Sequence, residues 1–351
     1  MSAVVPAKAV LAVSPGDPAG IGPELVLRAL ALADGSRIAL RVRSSVALLE
    51  RVARTSGIPF PDVLCVSPEE AGAAPRDRHV VVDDPFAGAA SIEPGRVSAE
   101  CGTWAVRQVE LAARDVLAGR AHALVTMPIC KEAAKLAGCP FPGHTELLAH
   151  VARLESRPVM AFHSAAVARG GSRHGLFVAL ATIHEPLSAV PRLVTAERVF
   201  ETATVAGRAF GAMFGERPRI GVLGLNPHAG ENGAFGSEER EAIAPAIAAA
   251  RAAGADIEGP LVPDAAFTFL GKNPALAVPP FDVYVAMYHD QALIPFKLVA
   301  FDSGVNVTLG LPFVRTSPDH GTAFDIAWRG AANPSSALAA VELAASGIMV
   351  K

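Results

Sequence analysis

Cysteine is scarce in this sequence and never paired. The four present, Cys65, Cys101, Cys130 and Cys139, show no C-x-x-C spacing, which excludes a zinc knuckle or a disulfide framework and fits a reducing compartment. Long uncharged apolar runs are missing too. No stretch of about 18 such residues occurs, so no membrane-spanning helix is expected. The N-terminal stretch MSAVVPAKAVLAVSPGDPAG is broken by Lys8 and runs straight into a glycine-rich turn, unlike a signal peptide with its cleavage site. Nor is there an excess of either charge. A formal net charge of −3 and a pI near 6.4 give no general attraction to nucleic acid or an anionic membrane, so any anion site must be local. These absences lead us to expect a cytoplasmic protein without nucleic-acid or membrane partners.

What is present is a globular chain of 351 residues with 51% hydrophobic content, long enough for two lobes, since single cores stop growing beyond about 250–300 residues. Strand-like runs at 8–14, 37–42, 62–66, 79–82, 122–128, 157–163, 175–184 and 283–288, with another opening at 219, alternate with helical patterns. The helices are expected over 23–33, 44–56, 98–118, 195–213, 237–253, 264–270 and 335–347. Such alternation indicates an α/β protein built on parallel sheet with helices on both faces. Residues 83–96 read as loop and 164–174 as the turn of a hairpin.

The stretch Tyr288–Arg329 concentrates polar chemistry between apolar segments. His289, Asp290 and Gln291 follow the strand VYVAMY, where the chain is expected to turn, and ligands of open α/β sheets bind at carboxyl ends of strands. Lys297 comes next, then GVNVTLGLPF with Asn306 and Thr308 on one polar face, then Arg315 flanked by Thr316 and Ser317. Lysine and arginine beside hydroxyl residues suit a phosphate or carboxylate. Two further histidines repeat the pattern: His184 closes GLFVALATIH, and His228 follows RIGVLGLNP. If the three strands are neighbours, the imidazoles share one sheet edge and form a divalent-metal site, with Asp264 or Asp290 as further ligands or supporting partners. PGDPAGIGPE offers either an anion cradle at a helix N-terminus or a tight strand-to-helix connection, because its G-x-x-x-G-x-G spacing meets neither nucleotide motif. In PGHTE, His144, Thr145 and Glu146 precede a helical run, where Thr145 reads on its own as an N-cap.

GDPAGIGPE (16–24), PGHTE (142–146), TIHEPL (182–187), LNPHAGENG (225–233), AMYHDQ (286–291) and GVNVTLGLPFVRTSPDHGTAFDIA (304–327) together resemble, in order and along nearly the whole chain, the 4-hydroxythreonine-4-phosphate dehydrogenase family of vitamin B6 synthesis. The resemblance implies an isocitrate/isopropylmalate dehydrogenase-like fold of two α/β/α lobes with a cleft between them, one lobe from 1–126 plus 303–351 and the other from 127–302, the latter carrying the metal site and dimer contacts. It implies a homodimer with the site at the subunit interface. Carried over by motif, His184, His228 and His289 hold the metal (Zn, Mg or Co), and His144, Thr145, Lys297, Asn306 and Arg315 contact the phosphorylated substrate. Lys297, Asp290 and Asp264 are the candidates for proton transfer. DHGTAFDIAWRGAANP (319–334) is similar to the adenosine-binding loop of the wider isocitrate dehydrogenase superfamily, which makes His320 and Asn333 candidates for contacting NAD or NADP.

The reaction so implied is oxidation of a C3 hydroxyl followed by decarboxylation, converting 4-hydroxy-L-threonine 4-phosphate to 3-amino-2-oxopropyl phosphate in pyridoxal phosphate biosynthesis. The sequence departs from the family pattern at Met127, Cys130, Glu185 and Trp328, the last in place of a usual glycine. CGTWA (101–105), ENG (231–233) and FDIAW (324–328) resemble the branch that oxidises D-threonate or D-erythronate 4-phosphate, which stands as the alternative substrate class. Rivals of other classes are a metal hydrolase, with the same histidines and no dinucleotide, and a catalytically silent sugar-phosphate sensor.

Overall fold

The computed structural model describes residues 8–166, 174–271 and 278–349. The chain forms two compact units, one running up to Ser156 and resuming over Leu311–Met349, the other spanning Arg157–Gly310; the sequence reading drew its lobe boundaries after 126 and 302. The first unit opens with β1 (Ala9–Ser14), α1 (Gly22–Leu32), β2 (Ile38–Ser44), α2 (Val46–Ser56), β3 (Leu64–Val66), β4 (Val80–Asp83), α3 (Ala99–Leu117), β5 (Ala123–Thr126), α4 (Lys131–Leu136) and α5 (His144–Val151). The second carries β6 (Val159–Ser164), β7 (Leu176–Leu180), α6 (Val190–Leu193), α7 (Ala196–Phe214), β8 (Arg219–Leu223), α8 (Ala244–Ala252), β9 (Asp256–Leu261), β10 (Val283–Ala286), α9 (His289–Ala300) and β11 (Val305–Leu309). The chain then returns to the first unit as β12 (Val314–Pro318) and α10 (Ser335–Met349).

In the first unit the strands run β3-β4-β2-β1-β5-β12, every pair parallel. Sheets covered on both faces are written as continuous apolar runs, and β1, β2 and β5 are buried at every position. Helix α3 lies against β1, β2 and β5 while α10 lies against β1, β5 and β12; covering the same strands, they occupy opposite faces. Small residues let α3 come close. Ala112 and Ala113 pack on Val10, Ala12 and Leu124, and a Cβ at Gly102 would fall 2.1 Å from the Ala133 carbonyl.

In the second unit the order is β11-β6-β7-β10-β8-β9. Here the sheet is mixed: β6 is antiparallel to both β11 and β7, whereas β7, β10, β8 and β9 run parallel. A hairpin joins β6 to β7, as expected from 164–174, although residues 167–173 of its turn lie outside the described residues. Helix α7 is delimited by its own sequence, with Thr195 Oγ1 accepting from Arg198 N–H and left-handed Gly215 ending it. Its opposite number across β7 and β10 is α9, whose Leu293, Phe296 and Ala300 join Phe162, Val178 and Tyr284 in the core.

Three elements differ from the sequence reading. Helix α9 begins at His289, where a turn was expected, and it carries Pro295 in its interior, a residue that normally argues against a helix. Strand β9 holds Gly259 and Pro260, and such residues belong at edges and bulges; it is the edge strand and its register against β8 shifts. The stretch 264–270 is not a helix but a turn followed by a single 3-10 turn, Thr268–Gly271.

The first unit also buries an ion pair: Arg43 donates from Nε and Nη2 to the two oxygens of Asp115 at 2.7 and 2.8 Å, and Arg120 Nε adds a third bond at 2.7 Å. Asp115 is fully buried and Arg43 nearly so. Asp115→Ala strands the Arg43 charge, and we expect it to lower unfolding free energy by about 3–5 kcal/mol, measured by urea denaturation.

Candidate functional site

Parallel strands deliver their following loops to one edge. In the first unit β1, β5 and β12 are adjacent, with Ser14 beside Thr126 and Arg315 beside Leu124. Arg315 is 3% exposed and donates to Thr126 Oγ1 at 2.6 Å. Burial pushes its guanidinium down to about 9, so it is still a cation at neutral pH, held where a charge is costly. His144, the first residue of α5, lies close enough to feel it. Burial, then Arg315 and Lys131, hold the imidazole well below its usual value, hence neutral. Its Nε2 is buried and makes no hydrogen bond among the described residues. Lys131 opens α4, and its stem passes close to Gly143, the residue before His144. Two cations and an unused imidazole nitrogen suit an anion. Thr145 is buried in the first turn of α5 and is not its N-cap; that position is Gly143, with no side-chain cap bond.

The turn after β1 is not an anion cradle. Every residue from Pro15 to Leu27 is buried, and neighbouring backbone fills the space the glycines leave. A Cβ at Gly16 would lie 2.3 Å from the Pro128 carbonyl, and one at Gly20 would lie 2.9 Å from that of Thr322, which accepts from Ile21 N–H. The alternative of a tight connection therefore holds. Asp17 latches this turn to the next loop: its N–H donates to Pro128, and its carboxylate accepts from Ala19 and Cys130. Trp328 completes the packing from left-handed backbone (φ 62°), donating Nε1–H to the Pro18 carbonyl with Arg51 over its ring. Of the residues suggested for the dinucleotide, His320 and Asn333 are both exposed, and Asn333 Oδ1 accepts from Ser335 N–H at the start of α10.

In the second unit β7, β10 and β8 are neighbours and parallel, so the loops carrying His184, His289 and His228 leave the same edge. The histidines stand three to five residues beyond these strands rather than at their ends, because β7 stops at Leu180, β8 at Leu223 and β10 at Ala286. His184 and His289 face each other with ring centroids 5.6 Å apart. His289 Nδ1 pairs with Asp290 Oδ1 at 2.7 Å, which orients the ring and leaves Nε2 for a ligand, the usual support of a metal-binding imidazole. The donor set fits a divalent metal, although no three His, Cys, Asp or Glu side chains among the described residues meet at ligand distance. Asp264 sits in an exposed turn after β9; Lys297 on α9 and Asn306 on β11 are half-buried and engaged in interactions.

Comparison with known proteins decides the family. The family described as "Pyridoxal phosphate biosynthetic protein PdxA" matches residues 39–344. The chain belongs to the PdxA family. It is 40% identical over 337 residues to a 4-hydroxythreonine-4-phosphate dehydrogenase of Trichlorobacter lovleyi, covering 95% of this chain and 96% of that one. It is 38% identical over 336 residues to a D-threonate 4-phosphate dehydrogenase of Pectobacterium atrosepticum, covering 95% and 98%. A crystal structure of 4-hydroxythreonine-4-phosphate dehydrogenase from Klebsiella pneumoniae aligns over the full length of both chains at 37% identity and a TM-score of 0.83. These relatives are dehydrogenases, and the α/β fold is theirs. No helix among the described residues is long and apolar enough to cross a membrane.

Thr126, Lys131 and Asp17 were outside the expected binding set. The first two had a signal, a hydroxyl and a cation just after an apolar strand; Asp17 had none beyond its glycine-rich setting. Burial raises the Asp17 carboxyl from 3.8 to about 6. The folded state therefore holds a proton that the unfolded state releases. Its favourable contribution is full below about pH 4, is lost as pH rises toward 6, and stays lost above. Asp17→Asn removes this loss. The stability of the variant relative to the parent should rise between pH 4 and 6 and then level off, the pH-dependent part reaching on the order of 3 kcal/mol, read by thermal denaturation across that range.

Proposed function

We propose that this PdxA-family dehydrogenase oxidises the C3 hydroxyl of 4-hydroxy-L-threonine 4-phosphate and releases CO2 and 3-amino-2-oxopropyl phosphate, with NAD or NADP as oxidant, in pyridoxal phosphate biosynthesis. The observation that carries this reading is the buried Arg315 cation bonded to Thr126 beside His144 Nε2, which makes no hydrogen bond among the described residues. A phosphate there would accept charge-assisted hydrogen bonds from the guanidinium and a hydrogen bond from His144 Nε2–H, which suits a phosphorylated ligand. Thr145, Lys297 and Asn306 complete the substrate contacts.

His184, His228 and His289 are the proposed ligands of a divalent metal, Zn, Mg or Co. When bound, such an ion supplies Lewis-acid stabilisation of negative charge on substrate oxygen. Asp290 keeps the His289 tautomer with Nε2 available. Lys297, Asp290 and Asp264 are the candidates to take the hydroxyl proton as hydride leaves C3 for the dinucleotide and to deliver a proton to the carbon that loses CO2, and His320 and Asn333 the candidates to meet the dinucleotide. The working unit is a homodimer. Ile294, Leu298 and Phe301 are 71%, 84% and 76% exposed, and their i, i+4, i+7 spacing lines one face of α9 and its end. An apolar stripe so placed is suited to burial against a second copy.

D-threonate or D-erythronate 4-phosphate is the second reading, favoured by the near-equal identity to the Pectobacterium enzyme. An α-amino and an α-hydroxyl group are both metal donors and the phosphate is shared, so discrimination falls to polarity around C2. Comparison of kcat/KM for the three substrates, followed by NADH absorbance, decides it. We expect the amino acid to lead; a sugar-acid phosphate ahead by more than about tenfold, ~1.4 kcal/mol in transition-state binding, overturns the choice. Phosphate release without reduced cofactor would point to hydrolysis instead.

A further inference from the structure

Residues His228 to Asn232 form a run of left-handed backbone, with φ of 51°, 49°, 78°, 38° and 56°, and only Gly230 among them is glycine. L-residues pay roughly 1–2 kcal/mol each for this conformation, so the segment persists only where its surroundings over-determine it. Glu239 is the group that does so. It is 6% exposed, and its Oε1 accepts from Leu225 N–H at 2.8 Å and from Asn226 N–H at 2.7 Å, while Oε2 accepts from Asn226 Nδ2 at 2.9 Å. The carboxylate lies directly under the left-handed run: a Cβ on Gly230 would come 2.6 Å from Oε2, and one on Gly224 would come 3.2 Å from Oε1 and 2.9 Å from the Ala229 Cα. Burial raises the Glu239 carboxyl, but the donors of Asn226 and Leu225 outweigh it and the group ends below its usual value. It sits in a single π-helical turn, Glu239–Ile243, leading into α8, an irregularity common at functional sites.

The same hydrogen-bond set continues to the other two histidines. Gln291 donates Nε2 to the Gly224 carbonyl at 2.7 Å and accepts from Met287 N–H at 2.7 Å; Thr182 donates both Oγ1 and N–H to the Met287 carbonyl, at 2.7 and 3.1 Å. Gly224, Met287 and Thr182 precede His228, His289 and His184 by four, two and two positions.

We propose that Glu239 is a positioning residue for His228: by pinning Leu225 and Asn226 it holds the left-handed turn that fixes where the third imidazole stands, with Gln291 and Thr182 keeping the three histidine loops in step. The inference rests on the reading that these histidines bind a metal. It goes further in assigning their geometry to a carboxylate outside the ligand set.

The test measures Co2+ affinity of the full-length protein by competition with a chromogenic chelator, together with the Co2+ ligand-field spectrum, for Glu239→Gln, Glu239→Ala and His228→Ala. Glu239→Gln keeps the volume and one acceptor oxygen, so it decides the matter should the alanine variant fail to fold. We expect Glu239→Gln to bind Co2+ about 10- to 100-fold more weakly with a shifted spectrum, and Glu239→Ala, where folded, to lose more. Circular dichroism should be unchanged in Glu239→Gln. Affinity within twofold of the parent and an unchanged spectrum in the folded Glu239 variants, while His228→Ala loses the metal, overturns the positioning role. Retention of full affinity by His228→Ala overturns the metal reading itself.

Discussion

The parallel pairing of adjacent strands is the constraint on which the grouping of candidate residues within each unit depends. A parallel ladder orients every strand the same way, so each following loop emerges at the carboxyl edge. In the second unit, the neighbouring positions of β7, β10 and β8 bring three histidine loops to one edge, though the histidines are far apart in sequence. In the first, the neighbouring positions of β1, β5 and β12 gather the Asp17 turn, the Thr126–Lys131 stretch and Arg315. Antiparallel strands would alternate these loops between two edges. It is consistent with this that β6, antiparallel to both neighbours, carries none of the proposed ligands.

Close packing sets how the loops are used. The glycine-rich turn after β1 has the composition of a phosphate cradle, yet the carbonyls of Pro128 and Thr322 occupy the room its glycines leave. Gly16 and Gly20 are small because protein backbone approaches them, and the proposed anion contacts lie on β12, at the end of β5 and at the start of α5 instead. There Arg315 is the charged centre, with Thr126 and His144 around it.

Much of this was legible in the sequence, for physical reasons that also mark its limits. Buried parallel strands are written as nearly uninterrupted apolar runs, so β1, β5 and β10 could be read directly. The histidines announced themselves by following such runs. They stand farther from the strands than the sequence suggests because mostly apolar residues continue past the last strand residue, as in Ala181–Ile183 and Met287. Helix α9 was hidden by Pro295, whose cost is met by burying Leu293, Phe296 and Ala300, a tertiary gain that local propensity does not contain. Strand β9 was hidden by Gly259 and Pro260, tolerated because it is an edge. Glu239 could not be found at all: its partners lie 13 and 14 residues away, and nothing local distinguishes it from a surface polar residue; Gln291 stood out only by following a strand, its bond to Gly224 spanning 67 residues.

Each unit spends stability at its site in a different currency. The first buries charge, with an Arg315 guanidinium that burial pushes down to about 9 and a protonatable Asp17 held in a buried turn. The second bends backbone, keeping His228 and three further non-glycine residues left-handed. Neither device helps the fold, since a neutral side chain or a glycine would relieve each. Such local conflicts collect where function selects them. The buried cation and the strained turn are such conflicts, and they are the features on which the proposed anion contact and the proposed placement of His228 rest.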